Sequence, residues 1–335
     1  GGALQIDGTI DGTSSQAENL TITTGAGSLT IGGTIGGTNP LTTLSIAGSG
    51  AGAIDLAGIG DSDTAGATGT TTVGNTTTTT LTLSGTIYKT DDSQTYVAKT
   101  GQNIDITDAA TFTTTNDAVA FNTAGVDLIN GNAGGAHTIT VDTGTGAGAV
   151  TFGGAIESDG GDDETLTITS GTGTVTFTGA LGATQELGGL NVNASSGNGI
   201  ITFTGAIGDT NAPQAGVIGT SNIGNTATTR IDLDGGLYSF DGTTTFETTS
   251  GETVAVGATV TVENTANSLS FSGGDINLDA DGGDIFFKDG GTTIGQFRHA
   301  SSSFIIKSNV TDNDLILRGD DGGSAIDALT FDMSD

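Results

Sequence analysis

The sequence predicts an all-β protein: a single-chain β-solenoid with about 25 residues per turn, followed by a small β-rich C-terminal module. Two observations lead to this prediction. The first is a set of short sequence motifs that recur at a fixed spacing, and the second is strand-like alternation of apolar and polar residues within each motif. A period of about 20 to 50 residues is typical of stacked repeats, whatever the local propensities.

The clearest repeat is Val175–Gly182 (VTFTGALG), which returns as Ile201–Gly208 (ITFTGAIG) after one period. A related motif, Val150–Ile156, lies one period before Val175–Gly182. Near the start of the chain, the similar segments Leu4–Thr13 and Leu29–Thr38 are also one period apart. A flat array of hairpins is the competing geometry. We favour the solenoid because like residues recur once per unit, whereas hairpins would show paired strands joined by two-residue turns.

Each unit contains two short segments with apolar residues at positions i and i+2, as in a half-buried strand. The first class contains Leu4–Ile6, Leu29–Ile31, Ile54–Leu56, Val150–Phe152, Val175–Phe177 and Ile201–Phe203; the second contains Leu20–Ile22, Leu44–Ile46, Leu166–Ile168 and Leu190–Val192. We expect the apolar residues to point inward, specifically Leu4, Ile6, Leu29, Ile31, Val175, Phe177, Ile201 and Phe203. The Gly-Gly and Gly-Ala steps that follow allow the positive φ of tight corners. We expect almost no helix.

A longer period lies over the shorter one. Leu81–Tyr88 matches Ile231–Tyr238, and Val73–Thr76 matches Ile223–Thr226, with the same offset of 150 in residue number. Because 150 is six times 25, we expect whole turns to stay in register. The solenoid then consists of two super-repeats, residues 1–150 and 151–280.

Residues 281–335 differ in composition and are predicted to form a β-rich association or transition module. Four of the seven basic residues lie here, together with phenylalanines and Asp-Gly-Gly turns; they are Lys288, Arg298, Lys307 and Arg318. Three sequence motifs of this module resemble segments of tail-fibre-like structural proteins of marine tailed bacteriophages. They are Phe286–Gly295, Ile306–Asn309 and Ala328–Ser334. The Thr-Phe-Thr-Gly-Ala units are similar to repeats of large bacterial filamentous surface adhesins.

The chain is strongly acidic, with 38 Asp and Glu against 7 Lys and Arg and a net charge of −31. This balance argues against a nucleic-acid partner, which needs a basic footprint. Cysteine is absent, so disulfides and thiolate metal sites are excluded. No apolar run approaches the ~20 residues of a membrane-spanning helix, so we expect no membrane insertion. The chain opens on glycine, and we expect it to be a segment of a longer product.

No catalytic, cofactor-binding or metal-binding residue is assigned. The acidic cluster Asp159, Asp162, Asp163 and Glu164 fits no calcium loop and is interpreted as a solvated corner. The second acidic group is interpreted as turn residues at a module junction; it contains Asp279, Asp281, Asp284 and Asp289.

The remaining candidates are also given structural interpretations. His137 and His299 are interpreted as surface or satisfied histidines, because neither has a partner motif. Carbohydrate cleavage usually needs aromatic side chains to stack on sugars, and the chain has no tryptophan and only three tyrosines, Tyr88, Tyr96 and Tyr238. Threonine pairs such as Thr165 and Thr167, or Thr176 and Thr178, could order water as an ice-binding surface. Threonine is also simply well suited to outward strand positions, and we prefer that interpretation.

The resemblance implies a non-enzymatic shaft of a phage tail fibre that presents a receptor-binding tip. It implies an extracellular place on the virion tail, other virion tail proteins as neighbours and a host cell-surface receptor as the target. The alternative is a bacterial or archaeal cell-surface filament or adhesin. We expect a homotrimer joined mainly through residues 281–335, with a head-to-tail filament as the alternative. No cofactor is expected.

Overall fold

The computed structural model describes residues 2–14, 17–48, 52–122, 124–128, 136–159, 164–193, 199–209, 215–257, 260–264 and 283–334. The chain divides into two compact units, Gly1–Leu269 and Ser270–Asp335. The predicted boundary near residue 280 lies outside the described residues. Within the described residues there is no helix, and all regular structure is β. The predicted fold class is therefore confirmed.

In the first unit, the described residues form short strands, most of them three to five residues long. In chain order they are β1 (Leu4–Ile6), β2 (Asn19–Thr24), β3 (Leu29–Ile31), β4 (Thr43–Gly48), β5 (Ile54–Leu56), β6 (Thr71–Gly74), β7 (Leu81–Leu83), β8 (Ile87–Lys89), β9 (Gln94–Val97), β10 (Asn103–Ile106), β11 (Thr111–Thr113), β12 (Val119–Asn122), β13 (Gly125–Leu128), β14 (Thr138–Asp142), β15 (Val150–Phe152), β16 (Ile156–Ser158), β17 (Thr165–Thr169), β18 (Val175–Phe177), β19 (Gly189–Asn193), β20 (Ile200–Phe203), β21 (Ser221–Gly224), β22 (Arg230–Leu233), β23 (Leu237–Phe240), β24 (Thr244–Glu247), β25 (Thr253–Val256) and β26 (Thr261–Asn264).

These strands form three parallel sheets, here called faces A, B and C, which the chain visits in that order on every turn. Face A contains β1, β3, β5, β7, β10, β13 and β16, and the single-residue bridges of Leu181 and Ile207 continue it to β23 and β26. Face B contains β8, β11, β14, β17, β19, β21 and β24. Face C has ten strands, namely β2, β4, β6, β9, β12, β15, β18, β20, β22 and β25. This is a three-sided β-solenoid.

The turn length follows from the register of face C. Leu20 and Val254 are nine registered steps apart, which gives an average of about 26 residues per turn. Individual turns vary, since the step from Ile201 to Ile231 is longer than the step from Val150 to Val175. Because neighbouring strands lie about 4.8 Å apart, nine steps span roughly 43 Å. The predicted turn length is confirmed.

The core is a continuous column of inward side chains. Along face C, Phe152, Phe177 and Phe203 stack with ring centroids 5.5 and 4.7 Å apart and planes within 6° of parallel. Six of the eight residues predicted to point inward are fully buried, namely Leu29, Ile31, Val175, Phe177, Ile201 and Phe203. Leu4 is the exception, since it is 42% exposed in the first rung of face A, and Ile6 beside it is only partly buried.

The two strand classes grouped from the sequence do not correspond to two of the three faces. In the first class, Leu4–Ile6, Leu29–Ile31 and Ile54–Leu56 lie on face A, but Val150–Phe152 and Val175–Phe177 lie on face C. The second class is divided in the same way: its early members are on face C and its later members are on face B. Equivalent motifs therefore lie on different faces, displaced by one face, in the two halves of the solenoid.

The 150-residue offset shows the same shift. Five registered steps along face A join Leu81 to Ile207, by way of Ile104, Val126, Ile156 and Leu181. Ile231, the sequence equivalent of Leu81, comes two faces later, on face C. The offset is thus five and two-thirds turns, and the expectation of six whole turns is wrong. The reason is that real turns are on average longer than the shortest repeat, while each face offers the same inward and outward positions to a three-residue strand.

Glycines allow the corners of successive turns to approach closely. A Cβ added to Gly205 would lie 2.0 Å from the carbonyl oxygen of Gly179 one turn below, and one added to Gly235 would lie 2.4 Å from that of Gly205. Positive φ is found a little later in the phrase, at Gly182 and Gly208. The Gly-Ala step was predicted to supply positive φ; its role is instead to leave room for the neighbouring backbone.

The second unit consists of antiparallel strands. β27 (Asp284–Asp289), β28 (Thr292–Ala300) and β29 (Ser303–Ser308) form a three-stranded sheet. β30 (Leu315–Asp321) and β31 (Ser324–Phe331) form a hairpin. The prediction of a β-rich C-terminal module distinct from the solenoid is confirmed at the level of strands.

Candidate functional surfaces

Face A carries a ladder of carboxylates on its outer surface. Asp105, Asp127 and Glu157 occupy the same position in three consecutive rungs, since Asp105 pairs with Asp127 and Asp127 with Glu157. Their hydrogen bonds are local: the Asn103 side-chain amide donates to Asp127 over 2.6 Å, and the backbone N–H groups of Thr184 and Gln185 donate to Glu157, each over 3.0 Å.

The ladder holds like charges in half-buried positions, and this raises their proton affinity. Partial burial raises the pKa of Asp105, and the neighbouring Asp127 carboxylate raises it further. Burial also raises the pKa of Asp127, against the opposing effect of the Asn103 hydrogen bond. For Glu157, burial raises the pKa more than its two backbone hydrogen bonds lower it. None of the three has a cationic partner among these contacts.

The central outward columns of faces B and C consist mainly of short uncharged polar side chains, although Asp232 lies in the column of face C. The central outward column of face B runs through Thr111, Thr140, Thr167, Asn191, Asn222 and Thr245. On face C, Thr151, Thr176 and Thr202 are stacked in register. The threonine pair Thr165 and Thr167 therefore lies on face B, and Thr176 lies on face C. Each column alternates with buried apolar neighbours, as expected for the outward positions of a half-buried strand.

The acidic cluster around Glu164 is not a solvated corner throughout, so that interpretation is wrong for Glu164. Asp159 is exposed, but Glu164 is fully buried. The Ser158 hydroxyl is hydrogen-bonded to Glu164 Oε2, and His137 Nδ1 lies 4.0 Å from Glu164 Oε1. Asp162 and Asp163 lie outside the described residues.

This buried group does not form a nucleophile–base pair. Ser158 and His137 both face the carboxylate of Glu164, so the histidine is not placed to take a proton from the serine, as a nucleophile–base pair requires. His137 is largely buried, and its Nε2 has no hydrogen-bond partner among the described atoms. It is therefore neither a surface histidine nor a fully satisfied one, contrary to the prediction.

The second acidic group is split between a strand and a turn. Asp284 lies in β27 and forms an ion pair with Arg298, whose Nε is 3.6 Å from the Asp284 carboxylate, so the turn interpretation is wrong for Asp284. Asp289 ends β27 just before the Gly290–Gly291 turn, as predicted. Asp279 and Asp281 lie outside the described residues. His299 is exposed and sits opposite Phe304 in the three-stranded sheet.

The three tyrosines are core residues. Tyr88, Tyr96 and Tyr238 are fully buried. The hydroxyl of Tyr238 accepts a hydrogen bond from Gly235 N over 2.7 Å and donates one to the Phe203 carbonyl over 2.9 Å, and burial raises its pKa to about 12. Tyr88 is held in the same way by Gly85 N and the Leu56 carbonyl. None of these rings is presented to a ligand at the solenoid surface.

The C-terminal unit holds 12 of the 15 large apolar side chains that are exposed among the described residues; the other three are Leu4, Val254 and Val256. In the three-stranded sheet, one face carries Ile285, Phe287, Phe297, Phe304 and Ile306, as the cross-strand pairs show. We call this the apolar sheet face. Phe304 is 71% exposed, and Phe287 and Ile306 are also exposed. The opposite face bears the Asp284–Arg298 ion pair.

The hairpin is amphipathic in the same way. Leu315 pairs with Phe331 and Leu317 with Leu329, so these four side chains share one side, here called the apolar hairpin face. Leu317 is 50% exposed, and Leu329 and Phe331 are 45% exposed. The other side carries the Arg318–Asp327 ion pair, with 2.5 Å between Arg318 Nε and the carboxylate. An open groove of about 420 Å³ runs along the apolar sheet face, and its lining also includes Lys307, Asp314, Leu315 and Ile316.

These surfaces could be predicted from the sequence only in part. The alternation of apolar residues in the C-terminal strands is visible, and it marks two amphipathic sheets. The buried carboxylate of Glu164 and the carboxylate ladder carry no signal in the sequence, because each depends on which residues of distant turns are brought into one register.

Comparison with known proteins gives no assignment: no family model, no curated protein and no solved structure matches this chain. Within the described ranges, no cluster of three or more histidine, aspartate and glutamate side chains is arranged to hold a metal ion. The described part of the chain contains no helix long and apolar enough to cross a membrane.

Proposed function

We propose that this chain is a non-enzymatic structural segment of a phage tail-fibre shaft, which holds a receptor-binding tip away from the virion. The observation that carries the proposal is the uninterrupted ten-strand ladder of face C over a continuous core. Such a ladder supplies length and stiffness in one direction, because each turn contacts only its neighbours. The resemblance of Phe286–Gly295 and of the other C-terminal motifs to phage tail-fibre-like proteins supports a fibre in particular.

In this proposal the protein works outside the host cell, as part of the virion tail. Its neighbours are other virion tail proteins, and the fibre it belongs to meets a receptor on the host cell surface. The outer faces favour this role over catalysis, because the solenoid presents threonine columns and a carboxylate ladder but no exposed tyrosine. The high negative charge keeps separate shafts from associating sideways.

A cell-surface filament or adhesin of a bacterium or archaeon is the second candidate. The rungs of face C that contain the Thr-Phe-Thr-Gly-Ala motif favour the adhesin, since this motif is similar to repeats of large adhesins. The two candidates differ in gene context. Recovery of the full-length gene should show virion structural genes beside it, and an antibody against the solenoid should label phage tails. An anchor or secretion domain in the same product would support the adhesin instead. Hydrolysis of host polysaccharide by the purified chain would contradict both.

We also propose that the working form is a homotrimer joined mainly through residues 281–335. Fibres must resist bending and twisting, and association gives the slender chain a thicker section. A head-to-tail filament joined through the open solenoid ends is the alternative, because unpaired strand edges invite pairing. Removal of residues 281–335 should convert a trimer into a monomer when mass is measured by analytical ultracentrifugation. A shortened chain that stays trimeric would contradict this placement of the interface.

A further inference from the structure

Among the described residues, Glu164 alone carries a carboxylate that is fully buried. The Ser158 hydroxyl accepts a hydrogen bond from the Glu164 backbone N–H over 3.3 Å and donates one to Glu164 Oε2. The other carboxylate oxygen, Oε1, has no hydrogen-bond partner. Because desolvation of a lone charge is costly, a carboxylate in this position needs either a cation beside it or a bound proton.

His137 is the group placed to compensate Glu164. The two residues occupy the same position in successive turns, since each comes one residue before the registered pair Thr138 and Thr165. The Thr165 N–H also donates to the His137 carbonyl over 3.0 Å. His137 Nδ1 lies 4.0 Å from Glu164 Oε1, and the histidine side chain is only 12% exposed. No lysine or arginine of the described ranges forms an ion pair with Glu164.

The charged groups on the surrounding described elements are all acidic. They lie on β13, β14 and β16, just after β16, and in the corners of the preceding and following turns, and they are Asp127, Asp142, Glu157, Asp159, Asp108 and Glu186. In the sequence, Asp162 and Asp163 come directly before Glu164. Negative neighbours disfavour a further negative charge and favour a bound proton.

We propose that His137 and Glu164 share one proton in the folded solenoid and act as a pH-sensitive lock between two successive turns. With one proton the pair has no net charge, whether the proton resides on the imidazole or on the carboxylate. Loss of this proton at alkaline pH leaves the carboxylate buried without compensation, and it weakens the contact between the turns that contain β14 and β17. The lock does not depend on the proposed fibre role.

The direction of the pH dependence follows from counting protons. In the unfolded chain, a histidine and a glutamate together hold one proton between about pH 4.3 and 6.5, and none above about pH 6.5. Above that pH, folding takes up one proton at the pair. The stabilisation from the lock is therefore complete below about pH 6.5 and is lost as pH rises through the range in which the folded pair releases its proton.

The composition of the chain makes this effect measurable. There is no cysteine, and His137 and His299 are the only histidines, so few other side chains titrate between pH 6 and 8. The test is urea unfolding of the full chain, followed by circular dichroism at several values between pH 6 and 9. We expect the folding equilibrium constant of the wild type to fall above about pH 6.5, with a slope approaching tenfold per pH unit, which corresponds to one proton.

Glu164→Gln removes the charge and keeps the shape of the side chain. Its folding constant should stay level or rise over the same range, because His137 is then buried as the neutral imidazole. His299→Gln is the matched control, since His299 is exposed in the C-terminal unit, and this variant should retain the wild-type fall.

Three results would overturn the proposal. The first is a wild-type folding constant that stays level or rises between pH 6.5 and 8.5, and this result decides the question even if Glu164→Gln does not fold. The second is an equal fall in the wild type and in Glu164→Gln. The third is loss of the fall in His299→Gln.

Discussion

At the scale of single residues, the corner glycines show most directly how backbone approach controls this fold. Gly235 and Gly236 are neighbours in one corner, but only Gly235 faces the backbone of the previous turn, where an added Cβ would lie 2.4 Å from the Gly205 carbonyl oxygen. A Cβ added to Gly236 meets nothing within 4 Å. The two positions therefore form a matched pair in which sequence context is almost constant.

We expect Gly235→Ala to destabilise the solenoid by about 1–3 kcal/mol, the usual cost of forcing extra atoms into a packed site. Gly236→Ala should be nearly neutral, within about 0.5 kcal/mol, as is usual for open positions. Denaturant unfolding followed by circular dichroism compares the two. Equal losses for both variants would mean that the corner is not packed as described.

The carboxylate ladder leads to a prediction about pH. The pKa of Asp105 is raised in the folded state by burial and by Asp127, so the charged form is disfavoured by folding. The folded protein then binds protons more tightly than the unfolded chain, and stability from this group falls as pH rises through the folded pKa. At neutral pH the ionised Asp105 side chain is therefore a net cost.

Asp105→Asn should therefore raise the thermal midpoint at pH 7, by an amount corresponding to about 0.2–1 kcal/mol, the scale of a cross-strand charge pair. The gain should disappear below pH ~4, under the unfolded pKa of an aspartate, where the wild-type carboxyl is protonated. Asp55 is the control, since it has Thr30 and Thr82 as register partners and accepts a 2.6 Å hydrogen bond from Ser84. A gain for Asp105→Asn that persists at low pH would contradict the explanation.

At the scale of elements, the aromatic column of face C is the main packing feature of the core. Phe177 is stacked between Phe152 and Phe203 and is fully buried. Removing its ring would open a cavity that the rungs above and below cannot fill without losing their own hydrogen-bonded register.

Phe177→Ala should cost about 3–5 kcal/mol, as large-to-small core substitutions of phenylalanine do. Thr176→Ala, one residue away on the outer surface, should change stability by no more than about 0.5 kcal/mol. Unfolding curves of the two variants provide the measurement. A small loss for Phe177→Ala would indicate that the column is loosely packed.

The sequence predicted these strands well and their assignment to faces poorly. Alternation such as Val175-Thr-Phe177 identifies a short strand and its inward side, because it reflects local geometry. The face on which that strand lies depends on the summed length of all preceding turns, which vary from one to the next. For this reason Leu81 and Ile231, the first residues of two similar motifs, lie on different faces.

At the scale of the whole chain, exposed apolar surface is concentrated in one part of the sequence. Residues 283–334 contain 12 of the 15 large apolar side chains that are exposed among the described residues. The net charge is spread more evenly, with −4 on these 52 residues and −27 on the other 283. These exposed apolar side chains are the basis for placing the proposed association in the C-terminal unit. The composition change near residue 280 predicted this division, but the two apolar faces became apparent only from the strand pairing.

The central structural claim is that similar sequence motifs stack as adjacent parallel rungs of one solenoid. In a solenoid, Thr176 and Thr202 are direct neighbours on face C, about 4.8 Å apart between strands. In a flat array of hairpins with two strands per repeat, they would be separated by about twice that distance, beyond the reach of a disulfide. The most direct test is oxidation of the Thr176→Cys/Thr202→Cys variant, read by intact mass and peptide mapping. The solenoid predicts an intrachain disulfide between the two positions in nearly every molecule, and thiols that stay free in folded protein would contradict it.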